Sequence, residues 1–168
     1  MELTLSKLHE LFDYKDGNLI WKIATSRRIK VGDIAGYLSD CGYIGIGIDG
    51  RQYKAHRIIY FYHNGYLPSS IDHIDGNRSN NKIENLRSAT TSQNAMNQKI
   101  STKNTSGVKG VHWHKRDKKW VVQLKVDSKR HSFGYFNDKK VAELVAVKVT
   151  NKLHKEFSAY KGVLNGTA

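Results

Sequence analysis

Cysteine and proline are almost missing from this 168-residue chain, with Cys41 and Pro68 each standing alone. A lone thiol closes no internal disulfide. It also cannot supply the paired Cys ligands of a zinc ribbon, so no structural zinc is expected, and any metal must be held by His, Asn or carboxylate oxygen. No apolar run approaches the roughly 20 residues that span a bilayer, and no basic amphipathic helix stands out. A membrane partner is therefore not expected. The opening MELTLSKLHELF lacks the basic-then-apolar order of a secretory signal, and with the single thiol this points to a reducing cytoplasm. Acidic residues are scarce as well: 15 Asp and Glu face 28 Lys and Arg, a formal net charge of +13. A surplus of this size calls for a polyanion, most simply nucleic acid. The length excludes a large multidomain enzyme and leaves room for one modest core or two small ones.

The charge is uneven. Residues 1–100 hold 13 basic and 10 acidic side chains, whereas 101–168 hold 15 and 5. Between the two parts lies the polar stretch KISTKNTSG (Lys99 to Gly107), so the expected organisation is a first domain over 1–100, a linker over 101–106 and a second domain over 107–168. In the first domain, Leu3, Leu5, Leu8, Leu11 and Phe12 recur near helical spacing behind Thr4 or Ser6 as a cap. Asp16-Gly17 predicts a turn before a strand, and Asp49-Gly50 between alternating apolar positions predicts a β-hairpin. The run from His56 ends at Asn64-Gly65, the signature of a short buried helix with its own C-cap. In the second domain Val111, Trp113, Trp120, Val122, Leu124 and Val126 alternate with polar residues, predicting about three antiparallel strands. Asp138 then caps a helix with Ala142, Val145, Ala146, Val149 and Leu153 on one face.

The most informative stretch is IDHIDGNRSNNKIENLRSATTSQNAMNQK, Ile71 to Lys99. It holds Asp72-His73, a tight Asp75-Gly76-Asn77 turn, an Asn-rich loop, Asn85-Leu86-Arg87, and Asn94 in an expected helix opened by Ser92. Singly, each is ordinary turn chemistry. Together and in this order, Asp-His, then Asn-Leu-Arg, then Asn nine residues after Asn85, they resemble the HNH nuclease family, especially the phage and intron-encoded homing endonucleases. The likeness covers roughly residues 13–98. It implies a ββα fold clasping one divalent metal, with His73 as the general base that activates water, Asp72 and Asn94 as metal ligands, and Asn85 orienting the base. It implies double-stranded DNA as partner and, if the chain is phage-encoded, the host cytoplasm as its place of action.

The residue chemistry agrees with those roles. A His with an ordinary pKa near about 6.5 accepts a proton from water at neutral pH. Charge on the phosphorane and the leaving oxygen needs a hard cation held by oxygens, which Asp72 and the Asn94 carbonyl can supply. So few protein ligands suit Mg2+, with Mn2+ as a substitute, because Mg2+ keeps waters and binds substrate phosphate. Neighbours on a strand point to opposite faces, so Asp72 and His73 can serve metal and water separately. The Asn85 side-chain carbonyl can hold the imidazole N–H and fix the tautomer. His56 suits a structural role, His63 a helix end, and Arg78 and Arg87 phosphate contacts, although a solvated strand position would serve Arg87 equally.

In the second domain Gly110-Val111, Lys119-Trp120-Val121, Phe133-Gly134-Tyr135-Phe136 and Ala142-Glu143 resemble elements of the apetala-two/ERF DNA-binding domain, over about residues 107–157. That likeness implies a three-stranded antiparallel sheet packed on one helix and read into the major groove. The positions matching its DNA contacts are Lys109, His112 and His114 on the first strand, Lys125 on the second and Arg130 before the third. Several are Lys or His in place of Arg, and Ser132 stands where that family has Trp. Lys lacks the bidentate fork that Arg offers guanine, so the likeness does not carry over a target sequence. Trp120 reads as core.

The whole sequence thus predicts an α+β protein, an N-terminal ββα-metal nuclease module tethered to a sheet-based DNA reader, acting as monomer or homodimer. Its rival is a non-catalytic DNA-binding regulator on the same scaffold. An RNA-binding protein is the weaker third reading, since no aromatic stacking signature is evident.

Overall fold

The computed structural model describes residues 3–98, 100, 104–126, 129–154 and 157–158. Two compact units divide the chain at residues 89 and 90. The division falls earlier than the expected linker at 101–106, of which residues 101–103 lie outside the described set.

The first unit opens with helix α1 (Leu5–Leu11), whose N-terminus is capped by the Thr4 hydroxyl accepting the Lys7 N–H. Strands β1 (Phe12–Lys15) and β2 (Asn18–Trp21) follow as a hairpin. Its turn places Asp16 at φ 49° and Gly17 at φ 85°, the left-handed pair that a two-residue hairpin of this twist demands. Gly17 has a second reason to be glycine: a Cβ there would lie 2.8 Å from the backbone nitrogen of Lys82. A three-stranded sheet then forms in the order β3 (Tyr37–Leu38), β4 (Ile44–Ile48), β5 (Arg51–Lys54). Asp49 and Gly50 make the β4–β5 turn, again with positive φ.

Helix α2 (Ala55–Asn64) is stopped at Gly65, whose φ of 72° closes the chain back onto Phe61 O. Its buried face, Ala55, Ile58, Ile59 and Tyr60, joins Leu8, Leu11, Phe12, Leu19, Trp21, Ile46 and Ile48 in one core. That core also takes in Ile71 and Leu86, one from each strand of the pair β6 (Ser70–His73) and β7 (Leu86–Ala89). Burying two apolar anchors fixes the register of this pair, because a slip of one residue would turn every side chain to the other face.

The second unit contains helix α3 (Thr91–Asn97) and an antiparallel sheet of β8 (Val111–His114), β9 (Lys119–Val126) and β10 (Lys129–Phe136), with β9 central. The expected turn at 127–130 lies partly outside the described residues. Helix α4 (Lys139–His154) starts where Asp138 Oδ1 accepts the Lys140 N–H at 2.7 Å. It buries Ala142 and Ala146 against Val111 and Val122, with Trp120, Phe136, Val145 and Val149 packed around them. Below Ala146 the buried positions are Thr150 and His154, while the expected Leu153 is only half-buried. Positions 142, 146, 150 and 154 form one i, i+4 row, and this row meets the sheet more squarely than Leu153 does. Among the described residues, no helix is long and apolar enough to cross a membrane.

Candidate active site

Strand β6 leaves the core at Asp72 and His73, which are only 3% and 6% exposed. The strand pairing sets Asp72 opposite Arg87 and His73 opposite Leu86. Arg87 answers the buried carboxylate directly: its Nε and Nη2 donate to Asp72 Oδ2 at 2.8 and 2.7 Å. A carboxylate held in so little water needs such a counter-charge. The guanidinium expected at a DNA phosphate is thus occupied within the protein.

The hairpin loop between β6 and β7 is closed by side chains. Asp75 Oδ1 accepts the Asn77 N–H at 2.8 Å, and Oδ2 accepts from the Asn80 amide at 2.7 Å. Asn85, in a single 3-10 turn (Ile83–Asn85), has its side chain committed three times over. Its Oδ1 accepts the Asp75 N–H at 3.1 Å, and its Nδ2 donates to Asp75 Oδ1 at 2.9 Å and to Asn80 O at 2.8 Å. Burial alone would raise the Asp75 carboxyl, but the hydrogen bonds from Asn80, Asn77 and Asn85, with a contribution from His73, hold it below its ordinary value.

These bonds change the expected role of Asn85. Its amide locks the loop through Asp75 and Asn80 and is not turned to the imidazole. The residue that meets His73 is Asn81, 3% exposed, whose Oδ1 lies 3.0 Å from His73 Nε2. Sequence reasoning passed over Asn81 as one more member of an Asn-rich turn. Its placement depends on a distant strand hairpin: the Tyr14 hydroxyl accepts the Ile83 N–H at 2.9 Å, and Gly17 admits the backbone at Asn81 and Lys82.

An aromatic wall stands beside His73. The His56 ring lies 5.1 Å away, centroid to centroid, and Tyr43 lies 5.2 Å from His56 and 6.2 Å from His73. His56 is 6% exposed with an unpartnered Nδ1. Its pKa drops to about 3 through burial first, then through His73, Lys54 and Arg57, so it stays neutral. Its place in the wall accords with a structural role. Lys54 and Arg78 both sit over the outer Tyr43 ring, at 4.4 and 5.0 Å, and Arg78 also donates to Cys41 O at 3.0 Å. Two cations are thereby gathered at a half-buried ring. His63, at the end of α2, stacks edge-on against Tyr14.

The structure brings Asp72, His73 and Asn85 together in the first unit, while Asn94 sits half-buried on α3 in the second. Lys109 does not stand on a strand. Its ammonium donates to the carbonyls of Ala95, Met96 and Gln98 at 2.8–3.1 Å, capping the C-terminus of α3, and burial lowers its pKa. These three hydrogen bonds turn the ammonium to helix carbonyls. The other expected contacts do share the outer face of the sheet. The register pairs His114 with Lys119, Gln123 with Ser132 and Lys125 with Arg130, and His112, Gln123, Lys125 and Arg130 line one depression.

A family model for the HNH endonuclease matches residues 53–96. Protein 3.8 of Escherichia phage T7 is 35% identical over 102 residues, which cover 58% of this chain and 82% of that protein. The chain contains an HNH endonuclease domain. A further relative, the uncharacterized HNH endonuclease L560 of Acanthamoeba polyphaga mimivirus, is 41% identical over 78 residues, 45% of this chain and 41% of its own length. No solved structure matches. The HNH segment begins in β5 and runs through α2, β6, β7 and α3, so it contains the Asp72–His73 strand end and the whole clamped loop.

HNH nucleases use a divalent metal, and the donors of this chain limit which kind fits. Among the described residues no group of three or more His, Cys, Asp and Glu could hold an ion. Asp72 supplies a hard carboxylate beside His73, which suits an ion that takes most of its ligands from phosphate and water.

Proposed function

We propose that this HNH protein is a metal-dependent DNA endonuclease of the homing type, with His73 as general base and Asp72 and Asn94 as oxygen ligands of one Mg2+, replaceable by Mn2+. The observation that carries this reading is the Asp72–His73 pair, buried at one strand end and held by a loop whose polar side chains are bonded to one another. Rigid placement is what proton abstraction in a crowded phosphate site requires. When bound, the cation would neutralise charge developing on the phosphate oxygens. His73 takes the proton of the attacking water, its ring kept in one plane by Asn81 and by the His56 wall. Arg87 holds the Asp72 carboxylate in place through two hydrogen bonds to Oδ2.

The outer sheet face of the second unit supplies affinity through His112, His114, Lys125 and Arg130 in an apetala-two/ERF-like manner. Lys54 and Arg78, gathered at Tyr43, offer phosphate contacts near His73. The cytoplasm, of the host if the chain is phage-encoded, is where such an enzyme meets double-stranded DNA, as monomer or homodimer.

Supercoiled plasmid incubated with the protein and Mg2+ should become nicked or linear, and EDTA should stop it. His73→Ala should lose about 10²–10⁴ in cleavage rate while still shifting DNA in a gel. Binding without cleavage by the unaltered protein would favour the regulator reading, and undiminished cutting by His73→Ala would remove His73 from the mechanism.

A further inference from the structure

We propose that Asn81 is a positioning residue whose side-chain carbonyl accepts the Nε2–H of His73 and so selects the imidazole tautomer with its lone pair on Nδ1. The inference rests on the reading of His73 as general base and adds which nitrogen does the work. Three observations support it.

Asn81 Oδ1 lies 3.0 Å from Nε2, and both residues are buried, Asn81 at 3% and His73 at 6% exposure. In a site with so little water, a hydrogen bond decides between tautomers that differ little in solution. The loop leaves Asn81 little freedom to leave that place. Asp75, Asn80 and Asn85 tie its two ends together, and its backbone packs where Gly17 has no Cβ. The Tyr14 hydroxyl fixes Ile83 two residues on. Finally, the Asn85 amide is turned to Asp75 and Asn80, and the loop side chain that meets the imidazole is that of Asn81. A neutral imidazole carries one N–H, and placing it on Nε2 puts the basic lone pair on Nδ1.

The direct test is nitrogen-15 NMR of the ring nitrogens in the full-length protein labelled at histidine, at a pH where His73 is neutral, with His73→Gln assigning the signals. The unaltered protein should give the Nε2–H pattern for His73. An Nδ1–H pattern overturns the proposal without any variant. Asn81→Leu, of similar volume but with no acceptor, should mix the tautomers and slow plasmid nicking with Mg2+ by about 10–100-fold, with plasmid binding unchanged. Asn81→Asp restores an acceptor and should recover most of the rate, whereas a purely packing role would favour Leu over Asp. Equal rates for Leu and the unaltered protein, with the tautomer also unmoved, refute the assignment. A shifted tautomer with an unchanged rate would instead refute His73 as the base while leaving the Asn81 bond in place.

Discussion

Replacing Asn85 by Ala tests whether this residue is a clamp for the loop. The amide makes three hydrogen bonds, of 3.1, 2.9 and 2.8 Å, and the residue is 8% exposed. Two join neutral backbone groups and are worth about 1 kcal/mol each, and the one to the carboxylate would reach about 1.5–3 kcal/mol if buried. Asp75 is exposed, so water recovers much of that last bond, and the sum settles at about 2–4 kcal/mol. Native-state hydrogen exchange reads this locally, at the amides of Asp75, Gly76 and Asn77. Their protection should fall by roughly 30- to 900-fold, since about 1.4 kcal/mol is a factor of ten. A fall below about threefold would refute the clamp. Asn85→Asp sharpens the result, because it loses both donors and sets a second carboxylate against Asp75. At neutral pH it should damage the loop more than Ala does, and the gap should close on acidification. The sign follows from Asp75: its carboxyl titrates below the ordinary value, so the clamp is intact above the ordinary carboxylate range and is lost as pH falls through the lowered pKa. Removing Asn85 takes away one of the bonds responsible, so in Asn85→Ala the acid loss of protection should begin at higher pH.

Burial holds His56 neutral, with a pKa of about 3 against 6.5 for a free ring, so the unfolded chain binds its proton first. Stability of the first unit should therefore be complete above pH 6.5 and fall by about 1.4 kcal/mol per pH unit below it, and His56→Leu should flatten that slope in denaturation series. An unchanged slope would mean the ring is not buried neutral. Arg87→Leu strands the Asp72 charge and should cost about 3 kcal/mol, whereas Arg87→Leu with Asp72→Asn should recover most of it in a double-mutant cycle. Additive losses would show that the pair is not coupled. On the second unit, Lys125→Gln and Arg130→Gln should each lower the salt slope of DNA binding by about 1, while Lys109→Gln should leave that slope unchanged and loosen α3 in hydrogen exchange. A reduced slope for Lys109→Gln would put its ammonium on phosphate after all.

What could be foreseen from sequence was mostly local. Asp16-Gly17, Asp49-Gly50 and Asn64-Gly65 carry their conformations in two letters, since each needs positive φ at its glycine, and each is found where the dipeptide stands. Alternation in β9 and the Asp138 cap are equally short-range. The site was legible as a set of residues but not as a set of bonds. Asn81 and Asn85 are the same residue type in one loop, four positions apart, and which of them reaches the imidazole is settled by Tyr14 and Gly17, more than sixty positions upstream. Arg87 and Lys109 look alike in composition to surface cations. Only the strand register opposite Asp72 and the position of the α3 carbonyls turn them inward.

The same loop explains how so polar a segment can hold the candidate site rigidly. An irregular loop of Asp, Asn and Ser would ordinarily be mobile, because it buries too little apolar surface to offset its conformational entropy. Here the polar side chains replace a core: Asp75, Asn77, Asn80 and Asn85 satisfy one another and the loop backbone. The two strands beneath are anchored by Ile71 and Leu86. Rigidity in this arrangement comes from directional bonds, and directional bonds also fix angles. An apolar loop core of equal strength would hold His73 in place without choosing its proton position, whereas a carbonyl presented by Asn81 on this frame does both.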